Sequence, residues 1–436
     1  MKKYFKTSGL AVLAAAAFLT ACDPEIDAPE ISKGDADFTR YVAIGNSLTA
    51  GFGDGGLYRE SQLNSFPNIL AGQFKLAGGG EFTQPLFSED QKNGSGYLKL
   101  TGFTAGGSPI ITRIPADAER PNTPALPGGK ALTKYTDPVN NLGVPGMSVK
   151  GSATPLFGAI NPYFERLLEP NEVGTKSYQQ VIGESNPTFF TCWLGNIDVL
   201  TYATSGGVAS PANPFSGITD QPTFNAVYNS MITNLVKNGA KGVVATIPNV
   251  TLIPFFTTVT VPLVRAAANN APLYITTDTG VREADSNDLI LLTTQAAIGR
   301  PDNVGGNTIP HGFHPANALT DAEVLDKAEV GEIKDATIAF NNIIISAANA
   351  NNLAIFDVNA FFQSIQPVDG KAVLVVNTVN YTPAFISGNL FSLDGVHLTP
   401  RGYALVANEF IKVINTKYNA KIPTVNVNAY NAVLFP

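Results

Sequence analysis

The chain is poor in cysteine, histidine and charge. Its 436 residues include two cysteines, Cys22 and Cys192, and three histidines. Two thiols cannot build a disulfide framework, and no cysteine-based zinc site can be made from them. Cys192 lies inside an apolar stretch, where a thiol is expected to be inert core, and its neighbour Trp193 is expected to pack. Charged residues make up 14% of the chain, against roughly a quarter in ordinary globular domains. The formal charge is −7. Without clustered Lys and Arg the chain lacks the footprint needed to bind phosphate backbones, so nucleic acid is excluded as a partner. The apolar run at residues 10–19, "LAVLAAAAFL", is too short to cross a bilayer as a stable helix. Hydrophobic residues still reach 44%, which excludes a disordered chain, and 40 glycines and 30 prolines imply long, well-turned loops.

The first 21 residues read as a targeting segment: Lys2, Lys3 and Lys6, then the apolar run, then "LTAC" ending at Cys22. Small residues before a cysteine resemble a bacterial lipobox, in which Cys22 becomes the lipidated first residue of the mature protein. Loss of residues 1–21 removes three lysines and no acid, so −7 becomes −10. Residues 22–38 are acidic and nearly free of large apolar groups, which predicts a flexible tether. Acidic residues directly after the cysteine resemble the surface-export signal of Bacteroidetes lipoproteins. The expected location is the cell envelope, with the protein lipid-anchored at the outer membrane and facing its surface.

From residue 39 to 436 a single domain is expected. Short apolar runs at 41–44, 188–195, 242–248 and 353–358 alternate with helical patterns, as in a parallel sheet covered on both faces. A fifth strand is expected near 137–142, "DPVNNL". Phe224, Val227, Tyr228, Met231, Ile232, Leu235 and Val236 form one apolar stripe at the helical period, ended by Asn238-Gly239. Another helix is expected across 321–350. A last one starts at Thr399 as N-cap, with Pro400 at its first position. Residues 373–385 suggest a late strand or hairpin. Two long insertions, 76–136 and 250–320, are expected to decorate one rim of the domain.

A serine stands at the mouth of the first strand, in "YVAIGNSLTAGFG". A turn accounts for Gly45 and Asn46 but does not require Ser47. A serine nucleophile needs a base, and histidine is the natural one near neutral pH. His397 lies in "SLDGVHLTPRGY", three residues after Asp394, where the carboxylate can orient one ring nitrogen and leave the other to take a proton. The other two histidines, in "HGFH", read as polar loop residues, because no third ligand stands nearby in a helical register. A G-x-S-x-G elbow is missing, which disfavours an ordinary α/β-hydrolase.

Ser47 in "AIGNSLTAG", "NLGVPG" at 141–146, "WLGNID" at 193–198 and "DGVHLTP" at 394–400 follow one another along the chain. Together they resemble the blocks of the GDSL/SGNH hydrolase family over roughly residues 40–415. The resemblance implies a three-layer α/β/α, flavodoxin-like fold with a parallel sheet. It also implies a serine esterase or lipase that works through an acyl-serine intermediate, with no metal and no cofactor, and with the lipobox at Cys22 the expected enzyme is membrane-anchored. Carried over, Ser47 is the nucleophile, His397 the base and Asp394 its orienter. The oxyanion hole falls to the Ser47 and Gly146 amides, with Gly143 as second choice, and to Asn196. Two positions depart from the family pattern. Asn46 replaces an acidic residue. Ile197 stands where the family has its asparagine, so Asn196 comes one residue early, and a bend at Gly195 is needed to turn it toward Ser47.

The expected substrate is an ester: a lipid, a short-chain acyl ester or an acetylated polysaccharide. A non-catalytic surface protein that binds glycan or acyl groups is the alternative of another class.

Overall fold

The structure is a computed structural model that describes residues 30–121 and 130–436. The expected signal segment and Cys22 lie outside the described residues. Four short strands form a parallel sheet: β1 (Tyr41–Gly45), β2 (Phe189–Trp193), β3 (Lys241–Ala245) and β4 (Ala354–Phe356), in the order β1-β2-β3-β4. Tyr41 pairs with Phe189, Phe189 with Lys241, and Val243 with Ala354. All five residues of β1 and of β2 are buried, which is why they read as unbroken apolar runs instead of alternating ones.

The expected strand near 137–142 takes a different form. Residues 140–144 run beside β1 and exchange ladder-like bonds with it: Ala43 N to Asn140 O at 2.9 Å, Leu142 N to Ala43 O at 2.8 Å and Val144 N to Gly45 O at 3.1 Å. With that segment counted second in chain order, the sheet has the 2-1-3-4-5 arrangement of flavodoxin-like folds, whose ligands sit beyond the carboxyl ends of the strands.

Helices cover both faces: α1 (Ser47–Ala50), α2 (Phe66–Leu76), α3 (Tyr178–Ser185), α4 (Ile197–Thr204), α5 (Gln221–Val236), α6 (Lys327–Ala350) and α7 (Pro400–Tyr418). Successive strand residues point to opposite faces. Trp193 therefore reaches one helical layer, edge-on to Phe66 of α2 and Phe410 of α7, which stack on each other at 4.8 Å. Cys192 turns the other way, toward Tyr228 of α5, and burial pushes its thiol up to about 12, so it is inert core. On that side Phe224 of α5 stacks on Phe340 of α6 at 4.0 Å. The caps follow the sequence. Asp220 starts α5, an Asp326–Glu329 capping box starts α6, and the Thr399 side chain accepts Gly402 N–H at the start of α7. Within the expected 321–350 helix, residues 321–323 form a separate 3-10 turn and α6 begins only at Lys327.

The described part of the stretch expected as a tether, 22–38, is docked on the domain. Of that stretch the structure describes residues 30–38. Ser32 bridges Lys421, Asp35 N donates to Tyr418 O, and Phe38 is buried against Phe74 and Phe189. One aromatic ring with a place in the core is enough to dock this otherwise polar segment.

Both insertions carry structure of their own. In the first, Tyr97–Phe103 pairs antiparallel with Pro109–Ile114. The second holds three two-stranded pairs around a small core of Val259, Val261, Leu273, Ile275, Ile290, Leu319 and Val324. It runs on to Leu325, past the expected end at 320. The stretch 373–385 contains a hairpin, Leu374–Val376 with Val379–Tyr381.

Candidate active site

β1 ends at Gly45, and the chain turns into α1 with Asn46 as N-cap, its Oδ1 accepting Leu48 N–H at 3.1 Å. This places Ser47 at the first helical position. Gly51 closes the short helix at φ +84°, a conformation glycine adopts without strain. From the other end of the chain, the loop before α7 brings His397 to the same point. His397 Nε2 lies 2.8 Å from Ser47 Oγ, and His397 Nδ1 lies 2.8 Å from Asp394 Oδ2. The Phe52 ring packs 4.6 Å from the imidazole.

Asp394 has its acceptor capacity filled. Its Oδ1 accepts the N–H of Val396 (2.9 Å) and of His397 (2.8 Å) and the Ser392 hydroxyl (3.1 Å), and its Oδ2 also accepts Gly55 N–H at 2.8 Å. Burial alone would raise its pKa. The His397 ring and these hydrogen bonds outweigh burial and hold the carboxyl well below the usual range, so it is ionised. The second insertion supports this loop from outside, with Phe255 N donating to Gly395 O at 2.9 Å.

The residues named for an oxyanion hole follow two other strands. Gly146 sits at φ +80° in the loop after residues 140–144, held by the Asn161 side chain, which donates to Pro145 O at 2.9 Å. Among the described residues, neither Ser47 N–H nor Gly146 N–H donates to a protein group. Gly143 differs: its N–H is taken by Asn141 Oδ1 at 3.0 Å, and a Cβ there would lie 2.3 Å from Ala50 N. Gly195 has φ +125°, the bend that follows β2. Asn196 comes next, 3% exposed, and its Oδ1 is buried with no partner. Ile197 is half-buried at the start of α4.

Sequence reasoning passed over Asp198, the last residue of "WLGNID". It is buried and accepts Val149 N–H at 2.7 Å, Lys150 N–H at 3.3 Å and the Thr219 hydroxyl at 2.7 Å. Burial pushes its pKa up to about 6, although these donors pull the other way. It ties the loop after Gly146 to the start of α4. Its place in the same block as Asn196 was the signal available.

His311 is less bland than expected. It is buried in the second insertion, with Nε2 3.0 Å from Glu323 Oε2 and Nδ1 3.1 Å from Asp302 Oδ2, and so holds two of that insertion's turns together. His314 is a loop residue whose Nδ1 accepts Ala316 N–H. Among the described residues no group of three or more His, Cys, Asp or Glu side chains could hold a metal ion, and no helix is long and apolar enough to cross a membrane.

A family model for GDSL-like lipase/acylhydrolase matches residues 41–410. No curated protein matches the chain. Solved structures similar to it include a catalytic mutant of Axe2, an acetylxylan esterase from Geobacillus stearothermophilus, at 10% identity and a TM-score of 0.34, covering 87% of this chain and 95% of that one. An extracellular lipase from Streptomyces rimosus is similar at 12% identity and a TM-score of 0.34, covering 88% and 99%. The family model spans most of the chain and both of its end motifs, so the chain belongs to the GDSL-like lipase/acylhydrolase family and is an ester-hydrolysing enzyme.

Proposed function

We propose that Ser47, His397 and Asp394 form the catalytic triad of a lipid-anchored esterase. The observation that carries this is the unbroken chain of contacts from Ser47 Oγ through the imidazole to the Asp394 carboxylate, each 2.8 Å long. Ser47 Oγ attacks the ester carbonyl while His397 Nε2 takes its proton. The tetrahedral oxyanion is held by the N–H groups of Ser47 and Gly146 and by the Asn196 amide. It collapses, and the alcohol leaves with the proton from His397. Water then attacks the acyl-serine carbonyl, His397 takes its proton, and the acid departs as Ser47 Oγ is reprotonated. Asp394 remains ionised, which favours the imidazolium formed in each half-reaction.

Asn196 is buried directly after the bend at Gly195, and its side-chain NH₂ is a donor suited to an oxyanion, which supports its role in the hole.

A narrow, mainly apolar recess is lined by Leu48, Trp193, Ile253, Phe362, Val396 and Leu398, which include the chain neighbours of Ser47 and His397, with Asn249 and Gln366 as its polar groups. Taken as the acyl side of the site, a recess this narrow suits a short acyl group. Acetylated polysaccharide and short-chain acyl esters both fit that acyl size, and they differ only in the alcohol side. Cys22 as lipid attachment site would hold the enzyme at the outer membrane.

The test is hydrolysis of a p-nitrophenyl ester series from acetate to laurate, alongside acetate release from acetylated xylan. The expected result is turnover that falls steeply with acyl length and is lost in Ser47→Ala. No turnover of any ester by the intact protein would favour a surface binding protein instead.

A further inference from the structure

We propose that Asp54 is a positioning residue for this reaction: from the turn after α1, its carboxylate grips the backbone of the Asp394 loop and so sets where the Asp394–His397 pair stands relative to Ser47. The inference rests on the triad reading above.

The two loops are 339 residues apart in sequence at their contact, and no secondary structure joins them. Side chains do. Asp54 Oδ1 accepts Leu393 N–H at 2.9 Å, and Asp54 N–H donates to Ser392 Oγ at 2.9 Å. Ser392 passes its own proton on to Asp394 Oδ1, and the next residue of the turn, Gly55, donates to Asp394 Oδ2. Three hydrogen bonds thus join one turn to the loop carrying the acid and base, and the Ser392–Asp394 bond braces that loop internally. The nucleophile is at the other end of that turn, since Phe52 N donates to Ser47 O at 2.9 Å. Asp54 Oδ2 is fixed by the Tyr58 hydroxyl at 2.9 Å, and Tyr58 stacks on Tyr97 of the first insertion's hairpin at 4.2 Å. Asp54 O accepts Leu98 N–H from the same hairpin at 2.7 Å. Asp54 also has φ +51°, outside the range most residues adopt readily. An otherwise unfavourable conformation is kept at the junction of three segments.

The charge on Asp54 is felt by Asp394. Burial, with smaller contributions from Asp394 and Glu60, pushes its carboxyl up to about 6, against the bonds from Leu393 and Tyr58. The titratable and charged groups around it are Asp394 on the loop, Tyr58 and Glu60 on its own segment, Tyr97 and Lys99 on the hairpin, and Tyr403 of α7. Ionised, Asp54 adds a second negative charge near Asp394.

Three variants separate backbone, carboxylate and charge. Asp54→Gly accepts the positive φ but loses both acceptors. Asp54→Asn keeps one carbonyl oxygen for Leu393 N–H and removes the charge. Ser47→Ala reports on the triad itself. With a p-nitrophenyl acetate assay, Asp54→Gly is expected to lower kcat about 10-fold to 100-fold, the scale of a small misplacement of reacting groups, with KM changed less than about threefold. Asp54→Asn is expected to recover most of kcat, because its remaining carbonyl oxygen still accepts Leu393 N–H. A folded Asp54→Gly enzyme with unchanged kcat would overturn the proposal. If Asp54→Gly does not fold, a folded Asp54→Ala enzyme with unchanged kcat would do so, since alanine also lacks the acceptor for Leu393 N–H. Activity retained in Ser47→Ala would instead overturn the triad reading, which keeps the two failures distinct.

Discussion

Asp198 Oδ2 accepts the backbone N–H of Val149 at 2.7 Å. This contact joins the helix that follows β2 to the loop that follows Gly146. Two of the three proposed oxyanion donors therefore stand on segments fastened by one buried carboxylate. Asp198→Ala leaves the amides of Val149 and Lys150 and the Thr219 hydroxyl without their acceptor. Each unmet buried donor costs about 1–3 kcal/mol, so urea denaturation is expected to register a loss of at least about 2 kcal/mol. The kcat of the folded fraction should fall as well, because the Gly146 loop loses its tie. A variant with wild-type stability and kcat would mean that the carboxylate holds nothing in place.

The same residue sets a pH dependence. Its folded pKa of about 6 lies above the ordinary aspartate value, so between about pH 4 and pH 6 the folded state holds a proton that the unfolded state has lost. That contribution to stability is full below about pH 4 and is lost as pH rises through about 6. Asp54 acts with the same sign. Asp394 has the opposite sign: its depressed pKa contributes stability above the unfolded value, lost as pH falls below it. Unfolding measured from pH 4.5 to 7 should therefore show a smaller decline with rising pH in Asp198→Asn than in the wild type. An equal or steeper decline in the variant would contradict the assignment.

Asn196→Ala should lower kcat by about a hundredfold or more, the usual scale for removing one oxyanion donor. KM should change less, because the contact strengthens in the transition state. Steady-state kinetics on a short-chain ester check both. A normal kcat would leave the hole to the Ser47 and Gly146 amides, and Ile197→Asn would then be expected to raise activity.

Cys22→Ala should move the protein out of the membrane fraction, since more than one acyl chain is needed for stable anchoring and the lipidated cysteine would supply them. Fractionation after a high-salt wash measures this. A variant that still sediments with membranes would remove the lipobox reading.

Much of the fold could be read from the sequence because the sheet is covered on both faces. Runs such as "FFTCW" carry no polar alternation to confuse them, and Thr399-Pro400 marks a helix start without ambiguity. The segment beside β1 was harder to bound. Its Asn140 and Asn141 look like loop residues, yet their side chains bond Tyr41 O and Thr49 O, so polarity there serves the sheet edge. Ser47, Asp394 and His397 could be named from short motifs because each motif is local. Asp54 could not, because its partners lie at the far end of the chain and only the fold brings them together. Asp198 lay inside a motif already noticed, but a buried carboxylate serving backbone amides has no spacing signature.

The most direct test of the account is covalent capture of the nucleophile. The intact enzyme is treated with a fluorophosphonate, digested, and the adduct mapped by mass spectrometry. The account predicts one adduct, on Ser47, absent in Ser47→Ala and formed far more slowly in His397→Ala, where the contact at 2.8 Å no longer exists. An unlabelled wild-type enzyme that still turns over esters, or an adduct on a different residue, would contradict it.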